Sequence, residues 1–250
     1  RFIDLEATGI YSIAFLFGAI ITLPSRPLSK IATTIIAESW KKEDRQTIGT
    51  IYSKSCLNQF IFAGLIFLLV WLNIDLVFDL IPAEYEKGKY VILFMSLTGL
   101  VEMATGLNGM IISTSRYYRY QSVFIFFLLL LVILTNWIFI PRLGITGAAI
   151  ASLLSTFVYN VVRAGFLFLK FRMQPFNYRF LIVGALLGIT LLAGYYLQAI
   201  ENWFSRTVLI CGAILVAYAF PVYFLRLSVD INSSIQQMIR AVLNRKEKQE

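Results

Sequence analysis

Between Val123 and Leu134 the chain carries only Val, Phe, Ile and Leu. With its apolar flanks this stretch reaches the roughly 20 residues that a helix needs to cross a hydrocarbon core of about 30 Å. It is one of a series. Similar stretches lie at 9–37, 48–77, 89–114, 121–140, 145–169, 180–200 and 207–225. The composition agrees: 58% of the residues are hydrophobic and only 14% charged, where a soluble domain carries about 25% charged residues. Mean hydropathy is +0.74. The predicted fold class is an all-α integral membrane protein, a polytopic bundle of about seven transmembrane helices.

The connections predicted between these helices are short, at 38–47, 78–88, 115–120, 141–144, 170–179 and 201–206. None has the length of a separate soluble domain. Alternate connections face opposite sides of a membrane, and their charges differ. One side carries Lys41, Lys42, Arg45, Arg116, Arg119, Lys170, Arg172 and Arg179, and the tail adds Arg226, Arg240, Arg245, Lys246 and Lys248. The other has only Arg1, Lys87, Lys89, Arg142 and Arg206, beside Asp75, Asp79, Glu84, Glu86 and Glu201. The positive-inside rule places the first set and the C-terminus in the cytoplasm. Residues 1–8 read as a loop with no signal peptide ahead of the first span, the expectation for the C-terminal part of a longer chain.

Several chemistries are excluded or given no support. The chain has no histidine, so histidine catalysis and ligation are absent. Cys56 and Cys211 sit apart in apolar runs and read as small packing residues, and no cofactor is expected. The net charge of +8 suits loops facing anionic lipid, not nucleic acid.

Ionisable groups inside a span are costly and mark a cavity or a partner. Arg26 lies at the middle of the first helix between Pro24 and Pro27, which bend it. It fits a polar cavity or an internal pair. Lys30, one turn on, fits the same cavity or a snorkelling position. Lys54, about one turn into the second helix, and Arg163, late in the fifth, read as headgroup anchors. Glu102 sits near the middle of the third helix, where it can pair with Arg26 or Lys54, hold a proton or contact a sugar. The 121–140 helix reads as lipid-facing, with Trp137 in the interfacial belt. The small residues Gly144, Gly147, Ala148, Ala149 and Ala151 suit close packing of the next helix. After Leu225, the residues Ile231, Ile235, Met238, Ile239, Val242 and Leu243 recur at helical spacing before a basic end. That pattern fits an amphipathic helix on the cytoplasmic leaflet, or a solvated helix or frayed tail.

Three stretches carry a family likeness. They are Gly9-Ile10-Tyr11-Ser12-Ile13-Ala14, Ile81-Pro82-Ala83-Glu84-Tyr85, and the run from Pro141-Arg142-Leu143-Gly144 through Ile145-Thr146-Gly147 to Ala148-Ala149-Ile150-Ala151. Their order and spacing resemble the polysaccharide flippases of the multidrug/oligosaccharidyl-lipid/polysaccharide exporter superfamily. The resemblance covers about 9–172; the last two helices match by position only.

It implies a fold of two six-helix lobes around a central cavity. Residues 1–172 would then complete the second lobe, 173–227 would add two helices, and 228–250 would form a cytoplasmic tail. It further implies a plasma-membrane transporter, not an enzyme, that moves lipid-linked oligosaccharide or polysaccharide precursors from the cytoplasmic to the outer leaflet. Partners would be that substrate, membrane lipids and glycan-assembly proteins. Arg26, Lys30, Lys54 and Glu102 are the candidate substrate-binding residues. Two rivals remain at this point, with a non-transporting scaffold as a third reading. A multidrug or small-cation antiporter of the same superfamily is expected to favour acidic cavity residues. A membrane glycosyltransferase or polymerase needs larger outer loops than these.

Overall fold

The computed structural model describes residues 5–247. Arg1 to Asp4 and Lys248 onward lie outside the described residues, as do the side chains of Leu5, Glu6, Ile239 and those from 242. Among the described residues all regular structure is helical. The first helix, α1, spans Leu5–Thr22, so part of the expected N-terminal loop is already helical. It is followed by α2 (Ser25–Lys41), α3 (Arg45–Leu72), the short α4 (Ile74–Asp79), a 3-10 turn (Ala83–Gly88), α5 (Lys89–Thr105) and α6 (Asn108–Thr114). Then come α7 (Tyr120–Phe171), α8 (Tyr178–Leu197), α9 (Trp203–Ile214), α10 (Phe220–Phe224) and α11 (Val229–Glu247).

Four helical stretches are long and apolar enough to cross a membrane: Arg45–Leu72, Tyr120–Phe171, Tyr178–Leu197 and Trp203–Phe224. Two bent pairs raise the number to six. Ala7–Thr22 and Ser25–Lys41 meet at 47°, and Ala83–Thr105 and Asn108–Thr114 at 45°. The first bend falls at Pro24, which lacks an amide hydrogen and crowds the preceding turn. The second falls at Gly106 and Leu107, where the sequence predicts an unbroken helix over 89–114.

The longest helix is not one rod. Gly144 has φ 55° and ψ −132°, a conformation that a side chain makes costly. There α7 folds back on itself. Thr135 Oγ1 lies 2.8 Å from Ser155 Oγ, and the rings of Phe124 and Phe166 are 5.3 Å apart. In a straight helix residues 20 apart would be about 30 Å distant. Gly147 permits the tight turn, since a Cβ there would stand 2.6 Å from the Phe139 carbonyl carbon. Arms 120–143 and 145–171 are therefore antiparallel neighbours. Replacing Thr135 and Ser155 by cysteine is expected to give a disulfide within one chain, read as a mobility shift reversed by reductant. A pair that never cross-links under oxidant would refute the fold-back.

The helix α3 is the centre of the bundle. Half of its most apolar window is buried, against 6% for that of α7. The main core gathers Tyr52, Phe67, Leu68, Leu107, Val183 and Tyr218 around it. A smaller cluster joins α1, α5 and α7 through Ala14, Met95 and Ala149. The first arm of α7 turns Val123, Ile125, Phe126, Leu129 and Ile133 outward, as a lipid-facing helix requires. Trp137 is 77% exposed near the end of that arm.

Between α9 and α10, residues 215–219 form a π turn just ahead of Pro221. The wider turn accommodates the carbonyl that proline leaves without a donor. It also directs Tyr218 Oη to the Ile61 carbonyl at 2.9 Å, against Gly64. At one end of the bundle Asp75 meets Lys89 at 3.1 Å and Arg206 at 3.9 Å, tying the ends of three helices. On the opposite side Asp44 caps α3, accepting from the Thr47 amide at 3.0 Å. Hydrogen bonds from Thr47, its side chain first and then its amide, hold the Asp44 carboxyl below the usual range. The start of α11 is pinned to α3: Asn58 donates to Asp230 at 3.0 Å and accepts from Ser228 at 2.6 Å.

Candidate functional site

The two bent helices pack on each other in parallel. Gly18 sits against the Met95 backbone, and Gly99 against the Gly18 carbonyl and Ile21. Further along, Thr33 Oγ1 donates to Met110 Sδ at 3.0 Å. This register brings Pro24 and Gly106 to about the same height, so the breaks lie side by side. At the first, Thr22 Oγ1 donates to the Ala19 carbonyl at 2.9 Å and Ser25 Oγ to the Thr22 carbonyl at 2.7 Å. The Ala19 carbonyl also accepts from the Leu23 amide, whereas the Ser25 hydroxyl serves the Thr22 carbonyl, because the Arg26 amide turns to Leu23 instead.

Arg26 and Lys30 lie just past the first break, on the exposed side of α2, and Glu102 lies one turn before the second, also exposed. Lys54 is exposed on α3. No hydrogen bond or ion pair joins the side chains of any two of these four residues. The ion pairs among the described residues are Lys42–Glu38, Lys89–Asp75 and Arg206–Asp75. The internal Arg26–Glu102 pair open from the sequence is therefore not formed. Arg26 and Lys30 stand beside the first break without an ion pair, and Glu102 lies within electrostatic reach of Arg163 on the second arm of α7.

Arg163 corrects the sequence reading. Its guanidinium points between helices and not to a headgroup. It packs on Gly109 of α6, where a Cβ would collide with it, and lies 4.6 Å from the Tyr159 ring centroid. Its Nε is buried without a partner. Around it runs a polar network: Tyr52 Oη donates to Asn108 Oδ1, and Asn108 Nδ2 donates to the Asn160 carbonyl at 3.3 Å. Tyr52 and Asn108 are buried to 0% and 1% exposure, so this network belongs to the interior and braces the second break. Close by, the buried Gln59 donates to Ser55 at 3.1 Å and lies against Gly106. The signal in the sequence was Asn108 and Gly109 inside an apolar run, which only their facing partners make legible.

No cluster of three or more metal-ligating residues occurs among the described residues. No family model, curated protein or solved structure matches the chain.

Proposed function

We propose that this chain is a seven-span half of a flippase that carries lipid-linked oligosaccharide or polysaccharide precursors from the cytoplasmic to the outer leaflet of a plasma membrane. Counting the two arms of α7 separately and each bent pair as one span supports seven crossings. With that count, the charge distribution supports a cytoplasmic C-terminus.

The observation that carries the reading is the pair of aligned helix breaks with exposed, unpaired Arg26 and Lys30 beside them. A cation held at that depth is costly in lipid and favourable against an anionic substrate in a polar path. Phosphate is that substrate's anion, and a guanidinium binds it through charge-assisted hydrogen bonds. A second lobe would close the path, as the resemblance of the three sequence stretches implies. Outward movement of an anion gains about 2.3 kcal/mol per charge per 100 mV of inside-negative potential. Lipid-linked saccharide, membrane lipids and glycan-assembly proteins are the partners on this reading, and the role is transport and not catalysis. Exposed Glu102 favours one alternative, a small-cation antiporter.

Deletion of the protein separates the two. Loss of a flippase leaves lipid-linked saccharide on the cytoplasmic leaflet, shielded from glycosidase added to spheroplasts. Unchanged display together with lost drug efflux would replace the flippase with the antiporter. Orientation has its own test. A cysteine at Lys42 is expected to resist an impermeant maleimide in intact cells, and a cysteine at Glu84 to label readily. The reverse pattern would overturn the orientation.

A further inference from the structure

Two cavities of opposite character meet at Gln174. The first, of about 600 Å³, is lined by Arg45, Thr50, Ser53, Lys54 and Arg172 together with Gln174. Its three cations are exposed, and none forms an ion pair. No carboxylate lines it. The acids nearby line neighbouring spaces and not this one: Asp44 caps α3, Glu43 faces a cavity that Arg45 and Arg116 also border, and Asp230 lies in a cleft that Lys54 also borders.

The second cavity, of about 390 Å³, runs between α5 and the second arm of α7. Val101, Ala104, Phe157, Val161, Gly165 and Phe168 form its apolar walls, and Pro175 and Phe176 follow Gln174 at its end. A Cβ at Gly165 would meet nothing within 4 Å, so the groove has room for a chain. The two cavities are also linked by Arg172, whose guanidinium lies 5.7 Å over the Phe168 ring.

We propose that the cationic cleft and the apolar groove form one bipartite site for a phosphate-headed lipid, with its head among Arg45, Lys54 and Arg172 and its tail along Phe157, Gly165 and Phe168. Unpaired cations around a polar cleft favour an anion with several acceptor oxygens. A groove of this shape beside it favours a long apolar tail. A free anion would leave the groove unused, and an apolar small molecule would leave the cations unused. The proposal goes beyond the translocation reading, because such a site holds lipid whether or not the protein moves saccharide.

The test uses the full chain in nanodiscs of dioleoyl phosphatidylcholine containing a minor share of dioleoyl phosphatidic acid. Lipid retained on the released protein is counted by native mass spectrometry. Phosphatidic acid is expected to be retained in preference to phosphatidylcholine. Arg45→Gln combined with Arg172→Gly should lower that retention about tenfold, the scale of lost charge-assisted hydrogen bonds. Glycine suits position 172, where φ is 58°, so the variant keeps its backbone. Gly165→Leu places a side chain in the open groove, raises helix propensity and should lower retention to a similar extent.

Equal retention of the two lipids, or no loss in the double variant, overturns the phosphate half of the site. Full retention by Gly165→Leu overturns the tail half. Displacement of phosphatidic acid by an equal concentration of inorganic phosphate would reduce the site to one for a free anion and overturn the lipid.

Discussion

Arg26→Ala is expected to reduce export more than tenfold while the protein accumulates in the membrane at its normal level. Both halves of that expectation come from the same geometry. Arg26 is exposed beside the break at Pro24, and no carboxylate holds it. Its removal therefore orphans no buried partner, and the usual destabilisation that follows loss of one member of a buried pair does not apply. What is lost is a cation on the proposed path, with its fork of donors for phosphate oxygens. Arg26→Lys keeps the charge but not the planar fork, so it should retain part of the export. Measurement needs only a membrane immunoblot beside saccharide display at the cell surface. Normal export by a well-accumulated Arg26→Ala protein would remove Arg26 from the path. A fall in protein amount that Glu102→Gln restores would instead mean that the two groups pair in the membrane.

The large-scale architecture was legible because the bilayer imposes a length. A helix must cover about 30 Å with apolar residues, so an all-helical chain with several apolar spans announces itself without any knowledge of packing. The number of spans does not: four helical stretches meet the length, or six with the bent pairs. The bend at Pro24 was legible too, because proline cannot donate and clashes with the turn before it. So was the interruption at Gly144, where Pro141 and the glycine stand together. The second break was not. Gly106 and Asn108 are tolerated inside a helix as often as they end one, and their effect depends on Gln59 and Tyr52 across the interface.

Arg163 failed for a related reason. Its distance from the end of the fifth helix suggested a headgroup anchor, but its face decides the matter. The absent side chain of Gly109 provides the room into which the guanidinium turns. Sequence spacing gives depth well and azimuth poorly: the Arg26–Glu102 pair that the sequence left open is unformed, and Arg163, read as an anchor, is interior. The helix after Leu225 was predicted from its periodicity, whereas its attachment through Asn58, Ser228 and Asp230 joins residues some 170 apart in sequence and leaves no local pattern.

Asn108 provides the counterpart to Arg26. Asn108→Leu is expected to lower the amount of folded protein several-fold while each surviving molecule exports normally. The asparagine joins three elements at the second break: it accepts from Tyr52 on α3 and donates to the Asn160 carbonyl on α7. Leucine matches its size but offers neither function, so the buried Tyr52 hydroxyl loses its partner and the Asn160 carbonyl is left with its own helix's amide alone. An orphaned buried group costs about 1–3 kcal/mol, and losses of that size change abundance several-fold in cells. The orphaned hydroxyl can be removed in turn. Tyr52→Phe in the Asn108→Leu background should recover part of the lost protein, more than the sum of the single changes allows. A temperature series on the purified variants, read by the fraction remaining soluble after heating, separates the outcomes. Wild-type resistance in Asn108→Leu would mean that the network does not brace the break. Normal abundance with lost export would place Asn108 on the path beside Arg26.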